Sequence, residues 1–288
     1  MASVAFATVH GMGETLPGYA DGLWAAVQDR LGVDKANVAF GSVYYQQLLQ
    51  DNEAQVWDRV SASATVRYGD LRRFVLFGFG DAAGLETRKE DDGSMYELAQ
   101  LDIARTLMGL RERCGGTVPL VLLTHSLGCQ VMSSYIYDAQ KALRTPVVAG
   151  IWKDIQRHAW SIAGRSLLTP EEIAFLRGDT CTGWITTGCN IPIFVAAHQN
   201  MRIIPIARPN ERFDWLNIYD PDDILGWPLQ PLSDGYRDLV QDRAINAGRG
   251  PVQWLVKSWN PWSHNIYWDS PEVLTPLTDM LRRAAMPV

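Results

Sequence analysis

The sequence has a deficit of positive charge and no long apolar run. Its 26 Lys and Arg residues are outnumbered by 32 Asp and Glu residues, so the formal net charge is −6. Because nucleic-acid binding normally needs a basic face, this charge balance argues against a nucleic-acid partner. A run of ~18 apolar residues is also absent, so we expect neither a transmembrane helix nor stable membrane insertion.

Cysteine is scarce, and the sequence has no pattern typical of a metal site. The four cysteines form no Cys-x-x-Cys pair, and no grouping of His, Cys and Asp has the spacing of a zinc site. We therefore expect no metal and free thiols, while a pairing of Cys181 with Cys189 stays open. The chain begins directly with an apolar run and lacks the basic region of a signal peptide. The expected location is cytoplasmic.

Strand-like and helix-like segments alternate along the chain, which is typical of an α/β fold with a mainly parallel sheet and helices on both faces. Residues 4–9 predict the first strand, residues 94–114 a long helix and residues 213–219 a late strand. Chains of this class and of 288 residues are commonly one domain, so we expect a single domain over residues 1–288. Residues 146–182 look inserted and are predicted to form a small helical cap.

The most informative stretch is residues 124–128, with the sequence Thr-His-Ser-Leu-Gly. An apolar, β-rich run leads into it and a helical pattern follows it. A strand, a sharp turn with Ser at its tip and a helix form the layout of a nucleophile elbow, which lifts the hydroxyl clear of the sheet. Thr124 replaces the first Gly of the usual motif. The surrounding pattern predicts that Ser126 is a nucleophile.

A glycine-containing loop, residues 10–13 (His-Gly-Met-Gly), follows the first strand. The N–H groups of such a loop and of the residue after the nucleophile stabilise the negative oxygen of a tetrahedral intermediate. The predicted donors are the backbone N–H groups of Met12 and Leu127. An ordinary turn and a phosphate cradle are alternative interpretations, but the spacing of a dinucleotide-binding or P-loop motif is absent.

The sequence has five histidines, and their order along the chain reduces the number of candidates for the general base. A triad of this kind runs Ser, acid, His along the chain, so the two histidines before Ser126 come too early. His158 follows too soon, and His198 leaves few candidate acids before it. His264 lies in a turn-rich loop before a last helical stretch, and it is the predicted base.

The triad acid is expected after the strand over residues 213–219. Three carboxylates, Asp220, Asp222 and Asp223, follow this strand and compete for one role. Asp220 is well placed to cap the turn that comes next. We favour Asp223, because burial of the two apolar residues after it would anchor the carboxylate while the loop reaches His264.

The chain resembles the α/β-hydrolase superfamily in its serine esterase and lipase-like branch. Four sequence blocks carry this resemblance: residues 9–13, 124–128, 217–223 and 263–268. The resemblance implies the α/β-hydrolase fold, a triad of Ser126, Asp223 and His264, and hydrolysis of an ester without a cofactor. A fifth block, residues 185–192, is similar to a strand end of lipase-like hydrolases but departs from it at residues 189–190.

The sequence leaves the particular substrate open, since this superfold hosts many chemistries. A small-molecule ester or lipid-like substrate is the expectation. A thioester or an amide passes through the same intermediates, so a thioesterase or peptidase is an alternative. A non-catalytic interaction scaffold is a second alternative, against which a complete Ser–acid–His set in chain order argues. The oligomeric state stays open.

Overall fold

The computed structural model describes residues 1–13, 15–64, 66–197, 203–245 and 267–286. Within these residues, one sheet contains six strands in the order β2-β1-β3-β4-β5-β6. The strands are β1 (Val4–Val9), β2 (Val38–Val43), β3 (Leu120–His125), β4 (Cys181–Thr187), β5 (Asp214–Tyr219) and β6 (Val240–Ala244). All neighbouring strands pair in parallel.

Helices connect the strands of the described residues. They are α1 (Asp21–Leu31), α2 (Gln47–Ser63), α3 (Gly69–Glu86), α4 (Met95–Cys114), α5 (Leu127–Lys141), α6 (Ala159–Ala163), α7 (Pro170–Leu176), α8 (Ile191–Ala196), α9 (Asp234–Leu239) and α10 (Pro271–Ala285). α4 shows how the sequence sets their ends. Ser94 accepts a hydrogen bond from the Glu97 N–H at its start, and Gly115 adopts a φ of +75° at its end.

Alternate side chains of β1 enter two different hydrophobic cores. Ala5, Ala7 and Val9 pack with residues of α4 and α5 on one face of the sheet. Val4 and Phe6 pack with residues of α1 and α10 on the other face. Every β1 residue is buried, as expected for an inner strand of a parallel sheet covered on both sides. The prediction of an α/β fold with a parallel sheet and helices on both faces is confirmed.

The strand order creates a crevice between β1 and β3. From β1 the chain first moves to β2 on one side, and it then returns to β3 on the other side of β1. In open α/β sheets, ligands bind at such a point, outside the carboxyl ends of the strands. The loop over residues 10–13 and the turn over residues 124–128 both begin there. The strand order and the sequence motifs therefore indicate the same two segments as a candidate site.

The segment over residues 146–182 forms a helical layer against α4. The N–H of Ile151 donates to Gln100 Oε1 at 3.0 Å. Arg111 Nη1 lies 3.2 Å from Glu172 Oε1 of α7, whose threonine N-cap and capping box agree with the sequence. These contacts place the predicted helical pieces along the face of the sheet that α4 covers. A cap beside the active site stays a prediction.

The apolar stretch over residues 74–79 lies in α3 and has two different surroundings. Phe77 is 2% exposed and packs inside, whereas Phe79 is 71% exposed. Phe79 therefore lies outside the core that Phe77 joins. Among the residues that the structure describes, no helix is both long and apolar enough to cross a membrane.

Candidate active site

Ser126 lies at a strained turn between β3 and α5. Its φ is +50° and its ψ is −123°, directly after the last residue of β3 and before the first residue of α5. A positive φ is uncommon for a residue other than glycine and costs roughly 1–3 kcal/mol, and such strain is frequent at functional turns. The predicted geometry of strand, sharp turn and helix is therefore present.

Two glycines let the loop after β1 approach this turn closely. A Cβ atom at Gly11 would lie 2.7 Å from Cβ of Ser126. A Cβ atom at Gly128 would lie 2.7 Å from the carbonyl oxygen of Val9 and would overlap the carbonyl of His10. A larger residue at either position would force the loop and the turn apart, because packed atoms do not approach so closely.

The described residues hold the backbone of Ser126 in place but form no hydrogen bond with its hydroxyl. The N–H of Ser126 donates to the carbonyl oxygen of Thr187 at 2.9 Å, and its carbonyl accepts from the N–H of Cys129 at 3.0 Å. Oγ is buried and has no hydrogen-bond partner among the described residues. A buried hydroxyl in this state costs roughly 1–3 kcal/mol, so it needs a functional explanation.

Met12 and Leu127, the predicted oxyanion-hole donors, flank the contact between Gly11 and Ser126. Leu127 is the first residue of α5, so its N–H has no acceptor within the helix. Met12 follows Gly11 directly and packs on α3, where a Cβ atom at Gly78 would lie 2.7 Å from Met12 Sδ. The structure brings both residues to the carboxyl ends of β1 and β3, and their function as donors stays a prediction.

The three carboxylates after β5 differ in their surroundings. Asp223 is buried, and its Oδ1 accepts from the N–H of Leu225 at 3.0 Å. Its Oδ2 accepts from the hydroxyl of Tyr267 at 2.9 Å. Asp220 Oδ1 accepts from the N–H of Asp222 at 2.9 Å, which is the turn-capping bond expected of it. Asp222 itself is exposed.

The anchor of Asp223 differs from the one that the sequence indicated. Ile224 is 78% exposed, so the expectation that burial of residues 224–225 holds the carboxylate is wrong. Tyr267 holds it instead: this fully buried hydroxyl donates to Asp223 and accepts from the N–H of Asp220 at 2.8 Å. Burial and the Asp223 charge raise the pKa of Tyr267 far above its ordinary value, so the hydroxyl keeps its proton.

The chain that follows His264 also reaches the nucleophile turn. Trp268 Nε1 donates to Thr187 Oγ1 at 3.2 Å, and the carbonyl of the same Thr187 accepts the N–H of Ser126. His264 and the alternative base His198 lie outside the described residues, so the identity of the base stays a prediction. The sequence did not predict the hydrogen bonds of Trp268 and Tyr267, although both residues stand in a block that resembles hydrolases.

Two histidines lie near Ser126, and in each of them Nδ1 is within hydrogen-bond distance of a neighbouring residue. His10 Nδ1 lies 2.8 Å from the carbonyl oxygen of Gly11, and since a carbonyl only accepts, Nδ1 holds the proton. Burial lowers the pKa of His10 to about 4, so the ring is neutral near neutral pH. His125 Nδ1 lies 3.1 Å from both the carbonyl and the hydroxyl oxygen of Thr187. These contacts agree with excluding both rings as the base by chain order.

A cavity of about 940 Å³ is lined by Asp214 and Val240 at the amino ends of β5 and β6, the opposite edge of the sheet from Ser126. All four cysteines are free and buried, so Cys181 and Cys189 do not pair. In the described ranges, no group of three His, Cys, Asp or Glu side chains is arranged to hold a metal ion.

No protein-family model matches the sequence, and no curated protein matches it. The interpretation of the site therefore rests on the residues and on their geometry.

We expect Tyr267→Phe to impair the site while the protein still folds. The change removes the donor to Asp223 and leaves the buried N–H of Asp220 without its acceptor, at a cost of roughly 1–3 kcal/mol. Thermal unfolding should shift down by a few degrees, and ester hydrolysis should fall by roughly 10- to 100-fold as the acid loses its position.

Tyr135→Phe is the matched control, because the Tyr135 hydroxyl is buried on α5 without a hydrogen-bond partner among the described residues. Removing that hydroxyl should leave hydrolysis unchanged. If Tyr267→Phe hydrolysed esters as fast as Tyr135→Phe, the tyrosine would not position the acid.

Proposed function

We propose that the protein is a serine hydrolase of the α/β-hydrolase fold that cleaves an ester by transferring its acyl group to water. The observation that carries the proposal is the state of Ser126. This residue has a φ of +50° at the tip of a strand–turn–helix unit, and its buried hydroxyl has no partner among the described residues. Such strain and such a free hydroxyl are typical of a nucleophile elbow.

The distance between the strand ends supports Asp223 as the acid. β4 lies between β3, which leads to Ser126, and β5, which leads to Asp223. Neighbouring strands are ~4.8 Å apart, so the ends of β3 and β5 are roughly 10 Å apart. A gap of this size suits one imidazole ring that is hydrogen-bonded through one nitrogen to the serine and through the other to the carboxylate.

His264 is the residue that we assign to this gap. It precedes Tyr267 by three residues in the sequence, and Tyr267 donates to Asp223 at 2.9 Å. Three residues of chain span at most ~11 Å, so the covalent chain permits the ring to reach the carboxylate. The order Ser126, Asp223, His264 is the order in which α/β-hydrolases carry their triads.

In the proposed mechanism, His264 takes the hydroxyl proton as Oγ of Ser126 attacks the carbonyl carbon of the ester. The N–H groups of Met12 and Leu127 stabilise the oxygen that becomes negative. The intermediate collapses to an acyl-enzyme, and His264 passes the proton to the leaving alcohol. Water then releases the acid by the same steps, while Asp223 keeps the ring in the required tautomer.

Other functions on the same sheet have less support. A crevice at this point of a parallel sheet also binds nucleotides in other proteins, but the loop over residues 10–13 lacks the Gly-x-Gly-x-x-Gly spacing. A non-catalytic scaffold does not need a strained Ser126 or a buried Asp223. Thioesters and amides remain alternative substrates, since their cleavage uses the same groups.

Labelling with a fluorophosphonate probe tests the proposal, because the probe reacts with serines that an enzyme activates. We expect one probe per chain on the native protein, none after heat denaturation, and a modified peptide that contains Ser126. Ser133, which is buried in α5 one to two turns further on, serves as an internal control serine. A native protein that takes up no probe, or takes it up at Ser133, would refute the proposal.

A further inference from the structure

Two buried carboxyl groups lie next to the loop over residues 10–13, which follows β1. Asp81 of α3 is 0% exposed and Glu53 of α2 is 7% exposed, and the two carboxyl groups lie close enough for each to shift the pKa of the other. Asp81 Oδ2 accepts from the N–H of Gly13 at 2.9 Å. Gln46 Nε2 donates to Oδ1 at 2.7 Å and to Oδ2 at 2.8 Å. Asp81 therefore joins both helices to the loop.

Two glycines of α3 permit this arrangement. A Cβ atom at Gly80 would overlap the carboxyl group of Glu53 in its present position, so Gly80 leaves room for that carboxyl group between α2 and α3. Gly78 likewise makes room for the side chain of Met12. Gly13 has a φ of +92°, which lets the loop turn its N–H toward Asp81.

Two carboxyl groups that touch in a buried site cannot both be ionised. Burial raises the pKa of Glu53, and the neighbouring Asp81 charge raises it further. Burial also raises the pKa of Asp81, but its hydrogen bonds from Gln46 and Gly13 oppose that rise. Near neutral pH, Glu53 therefore holds the shared proton and Asp81 carries the charge. Tyr45, whose hydroxyl donates to the carbonyl of His10, is a further titratable group, and the Asp81 charge raises its pKa.

We propose that Asp81 is a positioning residue for the oxyanion hole: its carboxylate fixes Gly13 and thereby orients the adjacent Met12 N–H toward Ser126. Glu53 supplies the proton that makes this buried carboxylate stable. The inference rests on the proposed hydrolase function, because it assigns a purpose to the loop of that same site. In this arrangement α2 and α3 hold the loop over residues 10–13 in place.

Asp81→Asn is the first test. The amide offers one acceptor oxygen where the carboxylate offers two, and its NH₂ group faces the N–H of Gly13 or the amide of Gln46. The rate to compare is the part of the hydrolysis that depends on Ser126, which is the wild-type rate minus the rate of Ser126→Ala. We expect kcat to fall roughly 10- to 100-fold with KM unchanged, because the lost interaction acts in the transition state.

Asp138→Asn is the matched control. Asp138 is also a carboxylate whose pKa burial raises, and it accepts from the hydroxyl of Tyr96 at 2.7 Å. It lies on α5 twelve residues after Ser126, which is ~18 Å along a helix. We expect Asp138→Asn to change neither kcat nor KM, although it removes the same charge.

Glu53→Gln tests the shared proton. The glutamine NH₂ can donate to Asp81 at every pH, whereas Glu53 must stay protonated to do so. Because the pKa of Glu53 is raised in the folded state, the wild type loses stability as pH rises above the ordinary carboxyl range. We expect the melting temperature of Glu53→Gln minus that of the wild type to grow from about pH 5 to about pH 9. A constant difference would overturn the role given to Glu53.

Amide hydrogen exchange separates this inference from the proposed function. Peptides that cover residues 10–13 should exchange faster in Asp81→Asn than in the wild type, whether or not the protein is an enzyme. Unchanged exchange, or a loss of kcat no larger than in Asp138→Asn, would overturn the positioning role. Faster exchange in a protein without Ser126-dependent hydrolysis would support the contact and refute the hydrolase proposal.

Discussion

Ser126→Ala should abolish ester hydrolysis and leave a folded protein. Loss of the nucleophile removes the acyl-enzyme route, and in serine hydrolases such a loss costs about 10⁴-fold or more in kcat. No described residue is hydrogen-bonded to Oγ, so its removal should shift the melting temperature by no more than a few degrees. Hydrolysis of p-nitrophenyl acetate and thermal unfolding measure the two effects.

Further variants test whether the loss of hydrolysis is specific to Ser126 and the proposed base. Ser133→Ala removes another buried hydroxyl from the same helix and should retain full activity. His264→Ala should be about as damaging as Ser126→Ala, and the double variant no worse, because the members of a triad act as a unit. A Ser126→Ala protein that keeps most of its hydrolysis would exclude Ser126 as the nucleophile. Full activity in His264→Ala, with a loss in His198→Ala, would move the base.

Segments whose structure depends on neighbours in the sequence could be predicted. The run of residues 4–9 is apolar and rich in β-branched residues, and it forms β1 over the same residues. Ser94 and Gly115 bound α4 because a serine N-cap and a left-handed glycine are local signals. The turn at Ser126 was predictable for the same reason: the strand, the serine and the helix are contiguous.

Contacts between distant parts of the chain could not be predicted. Tyr267 holds Asp223 from 44 residues away, and Asp81 holds Gly13 from 68 residues away. β6 is an edge strand whose three central residues are Gln, Asp and Arg, so it lacks the apolar run that marks β1. The exposure of Ile224 could not be predicted either, because an apolar residue next to a buried carboxylate need not be buried itself.

Asp223→Asn should cost the most activity among substitutions of the three loop carboxylates. An asparagine keeps the acceptor for the N–H of Leu225, so the loop should retain its path. It carries no charge to stabilise an imidazolium and favours the wrong tautomer of the ring, which in a Ser–His–Asp triad costs about 10⁴-fold in kcat. We expect a melting temperature within a few degrees of the wild type.

Asp220→Asn is the matched control, since it makes the same chemical change in the same loop. Its bond to the N–H of Asp222 needs only an acceptor oxygen, which asparagine retains, so stability and activity should both persist. Asp220→Ala removes that acceptor and should cost ~1 kcal/mol of stability with little loss of kcat. The Tyr267 hydroxyl contacts the carboxylate of Asp223 and the backbone N–H of Asp220, so both residues lie near it and the rate distinguishes their roles. A stable Asp220→Asn protein without hydrolysis, beside an active Asp223→Asn protein, would make Asp220 the acid.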